Sequence, residues 1–240
     1  MSDRYYSAEP IRTSLVLLQG PEAHHLARVM RVEPGSEVDL FDGQGAEFRA
    51  IVEAVHKDRV QLRVLERRAV DRESPRPLIL AVALPKGDRQ RWLIEKCVEL
   101  GVQQIIPLVT ARGVSRPVDS AVERLRRAVI EASKQCGRNR LMQIAEPRSW
   151  AEVVAEPFGD ALRLVAHPAA GASAATLDTS TASVVAAVGP EGGFGDDELE
   201  LARQHRWHFV DLGPRILRIE TAAVAIAAAV LLPLRINFQA

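Results

Sequence analysis

Val184-Val185-Ala186-Ala187-Val188-Gly189-Pro190-Glu191-Gly192-Gly193-Phe194-Gly195-Asp196-Asp197-Glu198 is the stretch on which the fold turns. Five apolar residues in a row, closed by a glycine-rich turn, read as a strand buried on both faces. The acids that follow open a helix, because carboxylates complement the positive end of a helix dipole. A second unit of the same kind comes next: the apolar run Phe209 to Leu212, the turn Gly213-Pro214-Arg215, then Ile216-Leu217-Arg218-Ile219-Glu220-Thr221 and an alanine-rich helix ending at Pro233. Strand, loop, helix, strand, loop, helix puts two ligand-sized loops at the carboxyl edge of a parallel sheet, where open α/β sheets bind ligands.

Glycines between a strand and a helix suggest a phosphate cradle. A dinucleotide fingerprint aligned on Gly193 and Gly195 needs a small residue where Glu198 stands. Three carboxylates in the first helical turn already occupy the helix end that a pyrophosphate needs free. Asp211 could imitate the acid that holds an adenine ribose, so a dinucleotide-dependent oxidoreductase stays among the alternatives. With Gly195 as N-cap, Glu198 is also half of a capping box whatever the loop binds. The glycines then serve to bring backbone close to a ligand that carries no phosphate.

Upstream of this region the pattern is also β-α, with a strand at Leu78–Leu84 and a helix at Arg89–Leu100 that turns Trp92, Leu93, Cys97 and Val98 inward and stops at Gly101. A strand at Ile105–Val109, a basic helix from Asp119 to Cys136, and strands at Leu141–Ile144 and Leu162–Ala166 follow. No helix is expected between Ala166 and Val184. The whole predicts an α/β domain with a mostly parallel sheet covered on both faces. Its first strand leads into Pro85-Lys86-Gly87-Asp88, without a Walker lysine motif or a Gly-x-Gly, so the chemistry lies in the C-terminal half.

Residues 1 to 70 read as a small β-barrel, with alternating Val38, Leu40, Phe48, Ala50, Val52, Ala54, Val60, Leu62 and Val64 and turns at Pro34-Gly35 and Asp42-Gly43. A helix is expected from Glu22 to Arg31, with Leu26, Ala27, Val29 and Met30 towards the core and His24, His25, Arg28 and Arg31 outside. Neighbouring helix positions point about 100° apart, so His24 and His25 do not make a metal site. The charged, proline-bearing stretch from Arg67 to Pro77 is a linker, and residues 78–240 form the second domain.

Two domains suit 240 residues, and 47% hydrophobic content suits a globular chain. The N-terminus does not resemble a signal peptide. The longest apolar stretch, Ala222 to Leu232, is about half a membrane span. Cys97 and Cys136 are too far apart for a metal knuckle and read as buried free thiols. A cytoplasmic protein without metal or membrane attachment is expected. Net charge is zero, yet residues 112–140 carry +5 and the chain from Glu146 onward −5. A basic segment of this kind is either a solvated helix face or a local site for a polyanion.

Several motifs together resemble the RsmE family of SPOUT methyltransferases. They are His24-His25-Leu26 with Arg31, Leu84-Pro85-Lys86-Gly87, Glu95-Lys96-Cys97-Val98-Glu99-Leu100-Gly101-Val102, Glu131-Ala132-Ser133-Lys134-Gln135-Cys136-Gly137-Arg138-Asn139, Gly189-Pro190-Glu191-Gly192-Gly193-Phe194, and Leu212-Gly213-Pro214-Arg215-Ile216-Leu217-Arg218-Ile219-Glu220-Thr221-Ala222. The resemblance covers nearly the whole chain. It implies a PUA-like RNA-binding barrel, an α/β domain with a C-terminal trefoil knot, S-adenosyl-L-methionine as methyl donor, a homodimer, and methylation at N3 of one uridine (uridine 1498) in 16S rRNA of the small ribosomal subunit. Ala166, His167, Gly189, Glu191, Gly192, Gly193, Leu212, Gly213, Ile216 and Leu217 are its implied cofactor residues. The chain departs from the family at Gly195, where Ser or Thr is common, at Ile219 in place of Thr, and at Ala111-Arg112-Gly113 in place of Glu-Arg-Ser.

Methyl transfer to an imide nitrogen needs its proton removed or the anion on O2 and O4 stabilised, a task for a nearby arginine. Arg138 is the first candidate, Arg218 the second, and Glu220 a candidate general base whose place just before a helix start favours a role in anchoring that turn. Arg28, Arg31, Arg112, Arg124, Arg126, Arg127 and Arg140 are candidate RNA contacts. Asn139 either joins them or caps the preceding helix. The target base must be unpaired or flipped out, since pairing covers N3. A ribose 2′-O-methyltransferase and a non-catalytic ribosome-assembly factor are the alternatives on the same fold.

Overall fold

A computed structural model of the protein describes residues 4–113, 119–168 and 183–232. Arg116 and most of the segment expected to lack a helix, residues 169–182, lie outside that description, as does Pro233. The chain separates into two compact units, Met1–Glu73 with Ile130–Leu141, and Ser74–Val129 with Met142–Ala240.

The N-terminal unit is a mixed five-stranded sheet. Its strands are β1 (Arg4–Tyr6), β2 (Leu15–Gln19), β3 (Glu37–Phe41), β4 (Glu47–Val55) and β5 (Arg59–Arg68), in the order β1-β3-β4-β5-β2. Only β1 and β3 are parallel. The alternation expected for β3 to β5 holds: Val38, Leu40, Phe48, Ala50, Val52, Val60 and Leu62 fill the core with Tyr5, Val16 and Leu18. β1 and β2 escape the pattern reading because one is short and the other is a continuous apolar run whose alternate members, Leu15 and Leu17, face out.

The helix expected from Glu22 to Arg31 is shorter and broken. α1 (Gly20–His24) passes into a π-helical turn, His25–Val29, closed by Met30 N–H donating to His25 O at 3.0 Å. A wider turn rotates the later residues away from the face that a regular helix presents. Leu26 is therefore fully buried while Val29 and Met30, expected inside, stand exposed.

The C-terminal unit is a parallel sheet. Its strands are β6 (Leu78–Val82), β7 (Gln104–Val109), β8 (Gln143–Ile144), β9 (Arg148–Ser149), β10 (Leu162–Ala166), β11 (Val184–Val188) and β12 (His208–Val210). They run β12-β10-β11-β6-β7-β8, with β9 also on β7. Every pairing is parallel, and central β11 is buried at all five positions, as a strand covered on both faces must be. α2 (Asp88–Leu100) and α6 (Ile219–Leu231) pack against each other, with α6 on β6 and β11. α4 (Trp150–Ala155) and α5 (Asp196–Gln204) bring Trp150, Val153, Leu199 and Ala202 into one core cluster with Ala81, Ile106, Val165 and Val185.

α2 buries Leu93, Cys97 and Val98 as expected, but Trp92 is 44% exposed. The apolar stripe centres on Leu93, Ile94, Cys97 and Val98, and Trp92 falls outside it. α4, absent from the sequence expectations, starts at a reciprocal capping box of the Ser-x-x-Glu type: Ser149 Oγ accepts from Glu152 N–H at 3.3 Å and Glu152 Oε2 accepts from Ser149 N–H at 2.7 Å. α3 (Asp119–Cys136) has the expected bounds. Cys97 is buried and Cys136 only partly so, which corrects the reading of two buried thiols.

Candidate active site

β10, β11 and β12 end side by side, and their carboxyl-terminal loops enclose a cavity of 320 Å³ together with the start of α6. Ala166, His167, Gly189, Glu191, Gly192, Gly193, Leu212, Gly213, Ile216 and Leu217 all line it. The sheet explains the convergence. β10 pairs with both β11 and β12, so residues far apart in sequence follow adjacent strand ends.

Local chemistry shapes the lip. Phe194 folds back over the turn, and a Cβ added at Gly189 would stand 3.0 Å from its ring, so a larger residue there would push the ring outward. The Phe194 ring lies 4.6 Å from Trp150. Gly213 has φ +105°, a conformation that L side chains rarely adopt, and its N–H donates to Asp211 Oδ1 at 2.9 Å. Ile216 is 92% exposed on the cavity rim.

Glu198 closes the helix end that a phosphate would need. Its Oε2 accepts from Gly195 N–H at 2.8 Å and its Oε1 from Ala111 N–H at 2.9 Å. Gly195 is the N-cap of α5, as expected, and Asp196, Asp197 and Glu198 fill the first turn. The cavity therefore offers backbone, apolar walls, the carboxylates Glu191 and Asp211 and the guanidiniums of Arg112 and Arg215, without a free helix terminus for pyrophosphate.

Of the three catalytic candidates, Arg218 and Glu220 belong to the C-terminal unit and Arg138 to the N-terminal unit. Glu220 lies in the first turn of α6, one residue inside the helix rather than before it, and is buried. Its Oε1 is 3.6 Å from Arg89 Nη1, while Oε2 is buried without a hydrogen bond. Arg89 also approaches Glu191 at 3.6 Å, a link between the lip and α6 that the sequence did not suggest. Arg218 is the exposed N-cap of α6 and does not line the cavity. Arg138 belongs to the N-terminal unit, where it is 4% exposed and clasped by Glu73 through Nε at 2.8 Å and Nη2 at 2.6 Å.

Asn139 sits in the same unit with both ends of its amide engaged. Its Oδ1 accepts from Arg4 Nη2 at 2.8 Å and its Nδ2 donates to Val70 O at 3.1 Å. It caps no helix. Glu47, also buried, gathers Arg4 at 2.5 Å, Arg72 at 3.2 Å and Arg68 at 3.9 Å. Arg28, Arg31 and Arg140 are exposed on this unit, Arg31 with a φ of 52°.

On α3, Arg124, Arg126 and Arg127 are exposed. Arg126 is paired with Glu123 at 2.6 Å and Glu146 at 3.4 Å, and its pKa is raised chiefly by the Glu123 hydrogen bond. Arg112, expected among the RNA contacts, lines the cavity and donates from Nη1 to Gly192 O at 3.0 Å. Nothing in the local sequence signals that contact, which spans β7 and β11. Among the described residues no cluster of metal-ligating side chains occurs and no helix is long and apolar enough to cross a membrane.

Comparison with known proteins agrees with this geometry. Residues 72–231 match the model of an RNA methyltransferase domain, and residues 18–65 that of an RNA methyltransferase PUA domain. A ribosomal RNA small subunit methyltransferase E from Synechocystis is 37% identical over 91% of this chain and 74% of its own length. The protein of that name from Bacillus subtilis is 31% identical over 89% of this chain and 88% of its own. The crystal structure of a ribosomal RNA small subunit methyltransferase E from Neisseria gonorrhoeae bound to S-adenosyl methionine superimposes with a TM-score of 0.88 at 30% identity, covering 95% of this chain and 96% of that one. The chain belongs to the RsmE family of RNA methyltransferases, with a PUA-like N-terminal domain and a SPOUT-type α/β domain.

Proposed function

We propose that the protein transfers a methyl group from S-adenosylmethionine to N3 of a single uridine, uridine 1498, in 16S rRNA of the small ribosomal subunit. The cavity carries this reading. Its ten expected residues converge on one pocket at the carboxyl edge of the sheet, and that pocket suits a ligand that is cationic at sulfur and free of phosphate. The Gly189–Gly193 backbone and the 211–217 loop would hold the cofactor, with Glu191 and Asp211 available to its positive and hydroxyl groups. When bound, the cofactor supplies an electrophilic methyl carbon.

What the protein's own residues do is placement and exclusion. Ile216 and Leu217 supply apolar cover against water. The N-terminal unit and the exposed Arg124 and Arg127 of α3 supply cations for RNA phosphates, which fix orientation without reading sequence. The base would have to leave any pairing to expose N3. Exposed Trp92 and Leu232 and the small exposed Ala229 suit a homodimer through the α2–α6 side, and the trefoil knot goes with the same reading.

The test is direct. The protein is incubated with small subunits lacking the modification and with isotopically labelled S-adenosylmethionine, and the rRNA is digested and its nucleosides are weighed. Labelled 3-methyluridine at one position is the expected product. Label on ribose would move the protein to the 2′-O class, and no label at all would leave a non-catalytic assembly factor.

A further inference from the structure

Arg112 is held in place before any ligand arrives. The turn that carries it is tied twice, by Gly113 N–H donating to Thr110 O at 3.1 Å and by Ala111 N–H donating to Glu198 at 2.9 Å. Its side chain runs along the glycine lip: a Cβ added at Gly192 would stand 3.5 Å from Arg112 Cβ and 3.6 Å from its Cδ. One guanidinium N–H is given to Gly192 O. Of the five donors on an arginine, the rest face no carboxylate within ion-pair distance among the described residues.

The other arginines compare poorly. Arg89 stands between Glu191 and Glu220, and Arg138 is clasped by Glu73. Arg215 lines the cavity but has no anchoring hydrogen bond among the described residues.

We propose that Arg112 is a catalytic residue, the cation that meets O2 or O4 of the acceptor uracil. The proposal rests on the uridine-N3 reading above. In the reaction, N3 gives its proton to bulk water and the charge left behind spreads over O2 and O4. The N3 lone pair forms the new N–CH3 bond as the S–CH3 electron pair returns to sulfur, leaving a neutral thioether and 3-methyluridine. A guanidinium already fixed at the cavity wall stabilises the developing anion without reorganising, and its planar fork matches an sp2 oxygen better than an ammonium does.

The experiment compares the parent protein with Arg112→Ala and Arg112→Lys. Each is assayed for methyl transfer to small subunits across a range of pH, and each is titrated calorimetrically with S-adenosylmethionine, which also shows that it is folded. Arg112→Ala should lower kcat by on the order of a hundredfold at neutral pH while keeping cofactor affinity near that of the parent. Its deficit should shrink as pH rises, because ionisation of N3 in solution replaces the lost stabilisation. Arg112→Lys should recover part of the rate. A deficit that is constant with pH, or one explained by weaker cofactor binding, overturns the proposal and leaves Arg112 as a support for the Gly192 lip. Absence of 3-methyluridine from the parent's product overturns the reaction reading instead, whereas 3-methyluridine formed with parallel pH curves overturns only the role of Arg112.

Discussion

In the N-terminal unit Arg4, Arg68 and Arg72 converge on the buried Glu47, and Glu73 clasps Arg138. Around the cavity of the C-terminal unit, Arg112 and Arg215 face no carboxylate within ion-pair distance among the described residues. The same side chain is thus used in two ways. A charge that is buried must be paired, because removing it from water costs several kcal/mol. A guanidinium left at the mouth of a cavity keeps its hydration and its donors until a ligand takes them. Arginine content alone does not distinguish these uses, and the motif containing Arg138 and Asn139 belongs to the first kind.

The comparison breaks most visibly at Glu47. Glu47→Ala strands Arg4, whose side chain is nearly buried, and should cost about 3 to 5 kcal/mol of stability, read as a shifted midpoint in urea unfolding. A loss within the range of ordinary surface substitutions would mean that the network contributes nothing.

Arg138→Ala comes next. Glu73 keeps some solvent contact, so the expected loss is smaller, about 2 kcal/mol. Assayed where the variant is still folded, methyl transfer should persist. Abolished turnover in a folded variant would put Arg138 with the chemistry and erase the distinction drawn here.

A third measurement concerns the exposed arginines of α3. Replacing Arg124 and Arg127 by alanine should reduce the salt slope of RNA binding by about two. Arg126→Ala alone should change it less, because Glu123 and Glu146 already neutralise that charge. Equal slopes for Arg124, Arg127 and Arg126 variants would show that pairing on this face has no consequence.

The smallest effect contrasts the two thiols. Burial pushes Cys97 up to about 12, so it stays protonated, and unreactive as a nucleophile, at mildly alkaline pH. Alkylation of the folded protein at mildly alkaline pH should therefore modify Cys136 well before Cys97. Comparable rates would mean that the α2 core opens readily.

The cavity was legible because its residues occupy contiguous loops flanked by strands and helices of ordinary period. Ala166 ends one strand and His167 follows it, Gly189 to Gly193 follow the next, and Leu212 to Leu217 a third. The contact that Arg112 makes was not legible, for the opposite reason. Its partner Gly192 lies 80 positions away, and only β7 and β11 with their loops bring the two together. For Arg138 the motif showed the charge but not the Glu73 that pairs with it. Val29 and Met30 followed a helical period that the π-turn interrupts. Trp92 looked like core because of its size, while the stripe that α2 buries runs beside it.

The tilted contact of Trp150 with Phe194 makes the lip optically visible. The chain has three tryptophans. Trp150 lies 4.6 Å from the Phe194 ring that packs over Gly189, and Trp207 meets Trp150 edge-on at 5.3 Å. Trp92 is 44% exposed on α2, outside the cluster that holds the other two. A ligand that displaces Phe194 changes the surroundings of two buried indoles together, while the third gives a constant background. Emission from the unlabelled protein can thus report occupancy of the cavity in real time, and a Trp92→Phe variant would remove the background without touching the reporter pair.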